Sequence, residues 1–562
     1  MRVGPAFWSC RVARSVEARL THASSPKRPK PSPSSAKKNP LLLPPPPRAL
    51  RRPAPPTDLV GADTTMLPGI APETPGLSDG AGALELLYAS FPVSPVSTFP
   101  SLCCAAADGD KTDRVSRLPE DVLRRVVSLL PAKDGARTTV LSSRWRGLWH
   151  SAPLVLVDTH LLPGGAAGVR PARARAGAVS RFVSAALEAH PGPFPFASFT
   201  CSFLDGAHRR VLARWFQLLA TKGVKQLIFA NRPAPLPGLR LPSSLFSCPY
   251  LRRLWICAWV FPETATLPRG AGFPNLRELV LGRTVMEDKD LEFVLGVSPV
   301  LEILVVAGSE TRLHACLASP SLRCAQLCLS ALDEVAVVDA PSLERLFLIS
   351  GMTKMSTTVK IGHAPKLRLL GYLEPGMHIM QIGNTIIKAG TKASASTTVS
   401  SVQMLALQLH FGVPGEIKML PSFLRCFPSV ETLIVQSMDT SGPATKLSVK
   451  FRQGTSPIEC VQSQLKTLFF RELQGHRGEF HFLTFIAENA QKLERMYIWV
   501  KEDLSYPAKV SMGAKLRALE SANWASRDCK MLFRTSKFPG GGTPFNLAMG
   551  VDLSFADPFF CH

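Results

Sequence analysis

The sequence predicts an α/β chain: a small helical module, then a long repeat solenoid on a parallel sheet, then a C-terminal α/β region. Three observations predict it. The stretch from Leu118 to Trp149 sorts into amphipathic helices, and from Pro249 a Pro-x-Leu-x-x-Leu pattern returns every 21–25 residues. A last helix–strand pair follows between residues 481 and 500. With 562 residues the chain exceeds one hydrophobic core and has room for several domains. No apolar run approaches the ~18–20 residues that span a bilayer, which argues against an integral membrane protein.

The first residues, 1 to about 110, read as a disordered leader. Thirteen prolines fall in the first 60 residues, and Pro44 to Pro47 are consecutive. Such a stretch favours extended polyproline conformations over ladders. The same 60 residues carry a net charge of +10, residues 61–110 carry −6, and the rest of the +23 is scattered from Lys111 onward. A basic tail binds nucleic acid or acidic lipid by counterion release, but solvated charge that keeps a large chain soluble is the favoured reading. Lys27-Arg28-Pro29-Lys30 suggests nuclear import, Arg11, Arg14 and Arg19 suggest a transit peptide, and Met66 offers a later start; these stay open.

At residues 111–158 the texture changes. Leu118, Val122, Leu123, Val126, Val127, Leu129 and Leu130 fall on one broad helical face, with Glu120, Asp121, Arg124, Arg125 and Ser128 opposite. Pro119 is expected in the first turn, where its missing N–H costs nothing. Glu120 and Asp121 sit at the positive end of the dipole, and Pro131 stops the helix. Asp134 is the expected N-cap of a second helical stretch in which Leu141, Trp145, Leu148 and Trp149 recur at helical spacing. A module of about 45 residues buries only a modest core. Its apolar surplus needs a partner protein or the next domain for cover.

In order and spacing, Asp113-Arg-Val-Ser-Arg-Leu-Pro-Glu-Asp-Val-Leu123, Leu129-Leu-Pro-Ala-Lys-Asp134 and Val140-Leu-Ser-Ser-Arg-Trp-Arg-Gly-Leu-Trp149 together resemble a plant F-box motif. Gly135 departs from that pattern, since glycine costs about 1 kcal/mol against alanine inside a helix. The resemblance implies docking on a Skp-type adaptor and, through it, a cullin. Leu118, Pro119, Leu123, Val126, Leu130, Val140, Leu141, Trp145, Leu148 and Trp149 are the candidate docking or docking-supporting residues.

Residues 159–450 carry the repeat. The pattern stands at Pro249, Pro274, Pro299, Pro320, Pro341 and Pro365, then after a gap of 63 residues at Pro428. The gap has room for two or three degenerate units. Fainter echoes follow at Leu465 and Leu493. This period, with one short apolar strand per unit, is the signature of a leucine-rich-repeat solenoid. Each strand, such as Leu276 to Leu281, cannot cover its apolar face alone, so neighbours stack into a parallel sheet. The prolines precede the strands, where a missing donor is harmless. The stack leaves a surface for a ligand, and the contacting residues are not readable.

Residues 451–562 form the C-terminal region. Ile458, Cys460, Leu465, Phe470, Gly475, Glu479, Phe482, Phe485, Ile486, Asn489, Leu493 and Met496 resemble the pattern of the FBD region that accompanies plant F-box and leucine-rich repeats. His481 to Ala490 reads as an amphipathic helix and Leu493 to Val500 as a strand. Asp552-Leu-Ser-Phe-Ala-Asp-Pro-Phe559 resembles the ending of grass members of that group.

Signals of chemistry are missing. Thirteen cysteines, an odd number thinly spread, point to free thiols in a reducing compartment. Paired Cys-x-x-Cys zinc ligands do not occur. The nearest grouping, His314 with Cys316, Cys324 and Cys328, reads as repeat core. Phosphate-binding and nucleophile-elbow loops are also missing. The expectation is a non-catalytic adaptor, without cofactor or metal, that holds a target protein for ubiquitin transfer by other chains in nucleus or cytoplasm. A basic nucleic-acid-binding protein, disfavoured because no basic stripe interleaves with aromatics, and a repeat scaffold without ligase activity are the alternatives.

Overall fold

The structure, a computed structural model, describes residues 87, 90–96, 115, 117–161, 176–202, 204–231, 239–309, 311–349, 356–392, 394–439, 457–501, 504, 506–535 and 550–554. The basic runs of the leader and residues 555–559 of the tail motif lie outside these.

The helical module comprises α1 (Glu120–Ser128), α2 (Ala132–Arg137) and α3 (Ser143–Ser151), followed by the short strand β1 (Val155–Val157) and the single turn α4 (Asp158–Leu161). Its details differ from the expectation at three places. Pro119 is the N-cap of α1 rather than its first residue, in extended conformation at ψ 151°. Pro131 takes the same role before α2, so Asp134 lies inside the helix, paired with Arg137 at 2.9 Å. The second helical stretch is broken by a 3₁₀ turn at Thr138–Val140, and Ser142 restarts it by accepting the amide of Trp145. Ser142 competes for the backbone as a cap, which is what short hydroxyl side chains do best.

The repeat region begins earlier than the Pro-x-Leu pattern. After α5 (Ala176–Ala189) come β2 (Phe196–Ser202), α6 (Arg209–Thr221) and β3 (Gln226–Asn231). Both strands precede Pro249 and lack the full pattern: no proline stands before β3, and before β2 Pro193 and Pro195 occur without the spaced leucines. β4 (Arg253–Cys257), β5 (Glu278–Gly282), α7 (Asp288–Gly296) and β6 (Ile303–Ala307) follow. The chain then alternates between two sheets through β7 (Leu313–Ala318), β8 (Cys324–Cys328), β9 (Leu332–Asp339), β10 (Arg345–Ile349), β11 (Thr357–His363), β12 (Leu369–Leu373), β13 (His378–Ile382) and β14 (Thr385–Ile386). It continues with β15 (Met404–Leu409), α8 (Pro414–Arg425), β16 (Thr432–Ser437), α9 (Glu459–Ser463) and β17 (Thr467–Leu473). The last elements are α10 (Arg477–Asn489), β18 (Arg495–Val500), α11 (Tyr506–Glu520) and β19 (Lys530–Thr535).

One parallel sheet of fourteen strands runs in the order β1-β2-β3-β4-β5-β6-β8-β10-β12-β15-β16-β17-β18-β19. A second sheet, β14-β13-β11-β9-β7, occupies the place where helices stand elsewhere. In those central units a strand with alternating burial, such as Leu313–Ala318, returns the chain instead of a helix. The 63-residue gap holds a single further strand of the main sheet, β15, because β13 and β14 belong to the second sheet. The FBD-like strands β17, β18 and β19 extend the same main sheet. The expected helix and strand there are α10 and β18.

Leucines such as Leu254, Leu279, Leu304, Leu346, Leu405 and Leu433 make the back face of the main sheet and bury against the helices and second sheet. The alternate residues make a front face. Its middle row runs in register from Ile228 through Trp255, Val280, Val305, Gln326 and Phe347, and a row of small residues runs beside it through Ala230, Cys257, Gly282, Ala307 and Cys328. Period-2 alternation sends neighbouring residues to opposite faces. At several helix starts a carboxylate folds the entering loop: Glu479 is fully buried and accepts the amides of Gln474, Gly475 and His476, and Asp290 accepts that of Glu287. Such a carboxylate satisfies donors that the helix itself cannot.

Candidate functional site

The helical module is joined to the sheet as well as adjacent to it. β1 pairs in parallel with β2, and Pro131 forms a bridge to Val155. Leu123, Val127, Trp145, Leu148 and Trp149 belong to the same continuous core as Phe194 and Ala197 of the first repeat unit. The His190 ring stands edge-on to Trp149 at 4.7 Å. Its Nδ1 accepts the amide of Gly192, which leaves Nε2 to donate to the Trp149 carbonyl at 2.7 Å. Burial lowers the pKa of this imidazole, in keeping with that neutral tautomer. The next domain therefore supplies cover for one side of the module.

The other side stays open. Leu118 is 37% exposed, Val122 44%, Leu129 47%, Val140 84% and Leu141 64%. Val115 is also half exposed. Arg124 ties α1 to the end of α3 by pairing with Glu120 at 2.8 Å and donating to Ser151 Oγ at 3.1 Å. Arg144 at the start of α3 donates to the Leu118 carbonyl at 2.8 Å, holding the entry to α1 beside it.

The ten residues singled out from the sequence divide accordingly. Leu118, Pro119, Val140 and Leu141 are exposed, Val126 and Leu130 are half-buried, and Leu123, Trp145, Leu148 and Trp149 are sealed in the core. Helical spacing grouped Leu141 with the tryptophans, but the 3₁₀ turn rotates it out of their helix. Val122 and Leu129 were on the apolar face of α1 without being singled out. The breadth of that face was the available signal, since one helix cannot turn so wide a stripe wholly inward.

The cysteine grouping separates between sheets: Cys316 lies on β7 of the second sheet and Cys324 and Cys328 on β8 of the main one, while His314 pairs with Asp288 at 3.0 Å. Burial pushes Cys324 up to about 12, the opposite of an activated thiol. Among the described residues, Glu374, His410 and Glu416 bring three metal-type donors within 4.8 Å, a cluster that spacing did not reveal. His410 Nδ1 lies 3.1 Å from Glu416 and 3.6 Å from Glu374, and Glu416 also accepts the His410 amide at 2.8 Å. The donors could by type hold a divalent cation, but they already satisfy one another as a triad that folds the start of α8. No helix among the described residues is long and apolar enough to cross a membrane.

Comparison with known proteins matches three domains in this order. The family described as F-box domain matches residues 115–156, that of the LRR repeats of the FBD-associated F-box protein At5g56370 matches 212–435, and FBD matches 453–498. Among similar proteins of Arabidopsis thaliana, the F-box/FBD/LRR-repeat protein At4g00315 is 31% identical over 34% of this chain and 42% of its own length. The FBD-associated F-box protein At5g56440 is 25% identical over 75% of this chain and its own entire length. The F-box/FBD/LRR-repeat protein At5g56420 is 24% identical over 75% of this chain and 99% of its own. With its three domains matched in that order, the chain belongs to the plant F-box/FBD/leucine-rich-repeat proteins.

Proposed function

We propose that the chain is a non-catalytic substrate-recognition adaptor of an SCF-type ubiquitin ligase. The open face of α1 and the turn before α3 dock on a Skp-type adaptor, which leads to a cullin, and the repeat sheet holds a target protein. The observation that carries this reading is the exposure of Leu118, Val122, Leu129, Val140 and Leu141 at the surface of a module whose Leu123, Val127, Trp145, Leu148 and Trp149 are already buried. Solvent-exposed aliphatic side chains gathered along α1 and at the 3₁₀ turn before α3 are best explained by a partner. A stable interface of this kind buries about 1,600 Å² in total, so these side chains would be its apolar centre. The buried Leu123, Trp145, Leu148 and Trp149 then support docking by holding the helices, without touching the adaptor.

Ubiquitin transfer is performed by other chains. The contribution of this one is proximity, since tethering raises the effective concentration of target lysines at the charged conjugating enzyme. Nucleus and cytoplasm are the proposed compartments, which imaging of a fluorescent fusion tests. Docking is tested by Leu118→Ala with Pro119→Ala and, separately, Val140→Asp with Leu141→Asp. Both pairs should abolish co-purification of a Skp-type adaptor while far-UV circular dichroism is unchanged. Adaptor capture that survives both pairs overturns the assignment.

A further inference from the structure

The main sheet ends on β19, its outermost strand among the described residues. Over the middle strands the front face is covered by the chain's own residues, among them Leu87, Val96, Val551 and Leu553. β19 differs: Met531 is half-buried and its other residues are exposed. Leu532 on its front face is 46% exposed and Phe533 on its back face 38%. A strand with apolar residues open on both faces lacks the cover that one more strand would supply. The edge itself is set for pairing. Lys530 donates its amide toward β18, to the Glu494 carbonyl at 2.9 Å. Main-chain groups alternate sides along a strand, so those of Met531 and Phe533 point to the outer edge.

Charge narrows the partner. Register places Arg495 beside Lys530, Tyr497 beside Leu532 and Trp499 beside Arg534 on the front face. Neither β18 nor β19 contains a carboxylate, and Arg495, Lys530 and Arg534 are exposed. A second copy laid antiparallel in full register would set Lys530 opposite Arg534 at both ends, and like charges directly opposite are destabilising. An acidic side chain at each of those places is favoured instead. Beside Met531, whose side chain lies on the back face, a cleft of about 430 Å³ lined also by Trp524 and Cys529 leaves room for an aliphatic side chain. Addition of an extended segment to such an edge takes its affinity from main-chain hydrogen bonds and its specificity from alternate side chains.

We propose that the outer edge of β19 takes up a target segment as an added strand, with the pattern acidic–apolar–apolar–apolar–acidic. The two acids pair with Lys530 and Arg534, and the middle residue packs on Leu532. The residues between them lie against Met531 and Phe533. The pattern reads alike in both chain directions. This rests on the reading of the chain as a target-holding adaptor, but peptide binding is measured without the Skp-type partner, so failure of docking leaves it untouched.

The test uses the full chain and a fluorescein-labelled peptide, Gly-Ser-Glu-Val-Leu-Val-Glu-Ser-Gly, read by fluorescence polarisation. Lys530→Glu with Arg534→Glu changes two exposed side chains and should weaken binding at least tenfold at an unchanged melting temperature. A peptide with Lys in both Glu positions should bind that variant at least tenfold more tightly than wild type. Lys530→Gln with Arg534→Gln replaces it if the Glu pair fails to fold, with a loss of at least threefold. N-methylation of one alternate set of peptide residues should abolish binding and of the other set leave it within threefold, as only strand addition requires. No binding by wild type, binding indifferent to the charge pair, or equal effects of the two methylated sets overturns the proposal. It also falls if a single-stranded oligouridylate displaces the peptide at lower concentration than unlabelled peptide does, which assigns the edge to nucleic acid. A dimer in analytical ultracentrifugation that the charge swap dissociates assigns the edge to a second copy and overturns it too.

Discussion

Gly135 lies directly under the Trp149 ring: a Cβ at that position would stand 3.2 Å from Cζ3 and 3.5 Å from Cε3, with a Leu154 methyl 3.7 Å away. The glycine that departs from the helix pattern of the F-box is therefore what lets the tryptophan close the module against the first repeat unit. Gly147, in the middle of α3, meets nothing within 4 Å.

This pair predicts opposite outcomes for one substitution. Gly147→Ala should raise stability by up to about 1 kcal/mol through helix propensity. Gly135→Ala should cost about 1 kcal/mol net, because overpacking of 1–3 kcal/mol outweighs the same gain. Thermal melting of the two variants decides it; a rise in both would mean the ring yields freely.

Leu148 and Leu141 are predicted to separate folding from docking. Leu148→Ala should destabilise by about 2–5 kcal/mol, since its side chain is 1% exposed and leaves a cavity. Leu141→Ala should leave the denaturant midpoint within about 0.5 kcal/mol, as for an exposed site, yet weaken adaptor capture. Chemical denaturation beside pull-down of the same two variants checks both halves.

Leu87 and Gly282 are predicted to be coupled. An added Cβ at Gly282 would run into Leu87 Cδ1 and lie 2.9 Å from Cys257 Sγ. Gly282→Ala should therefore cost about 1–3 kcal/mol, and Leu87→Ala in the same chain should recover a large part. A double-mutant cycle gives the interaction; strict additivity would mean Leu87 is not seated in the small-residue row.

Stability should fall with acid through His378. Burial lowers its pKa from 6.5 to about 4, and its Nδ1 accepts the Glu374 amide at 2.9 Å. The folded chain refuses a proton that the unfolded chain accepts, so stability is held above about pH 6.5 and lost progressively as pH falls toward 4, by roughly 3 kcal/mol. Burial raises Glu479 instead, which acts with the opposite sign. The readout is thus the difference from His378→Asn, whose carbonyl oxygen keeps the amide bond and whose acid slope should be shallower.

Much of this architecture was legible in the sequence because it is periodic. The back-face leucines repeat with the strands, so Leu254, Leu279 and Leu304 announced a stacked parallel sheet before any coordinates did. The FBD helix and strand were legible for the same reason. Where the local signal stopped, so did the reading. β2 and β3 lack the Pro-x-Leu-x-x-Leu pattern, and the strands of the second sheet could not be told from helices of degenerate units. Glu374, His410 and Glu416 come together only because successive units stack.

Composition could not reveal the seating of Leu87, Phe91 and Val96 inside the stretch read as a disordered leader. Leu87 and Val96 are buried, and the Phe91 ring stands edge-on to Trp255 at 5.6 Å. Leu87 is seated at Gly282 and Phe91 at Trp255, each more than 160 positions away in the chain, so no local window contains the reason for their seating. The sequence by itself determined the helical module, the repeat and the family, because each is written in spacing along the chain. Only the tertiary structure decided which apolar residues of the module face out and which parts of the two ends lie on the front face. Both are settled by competition for cover among distant surfaces, which periodicity does not record.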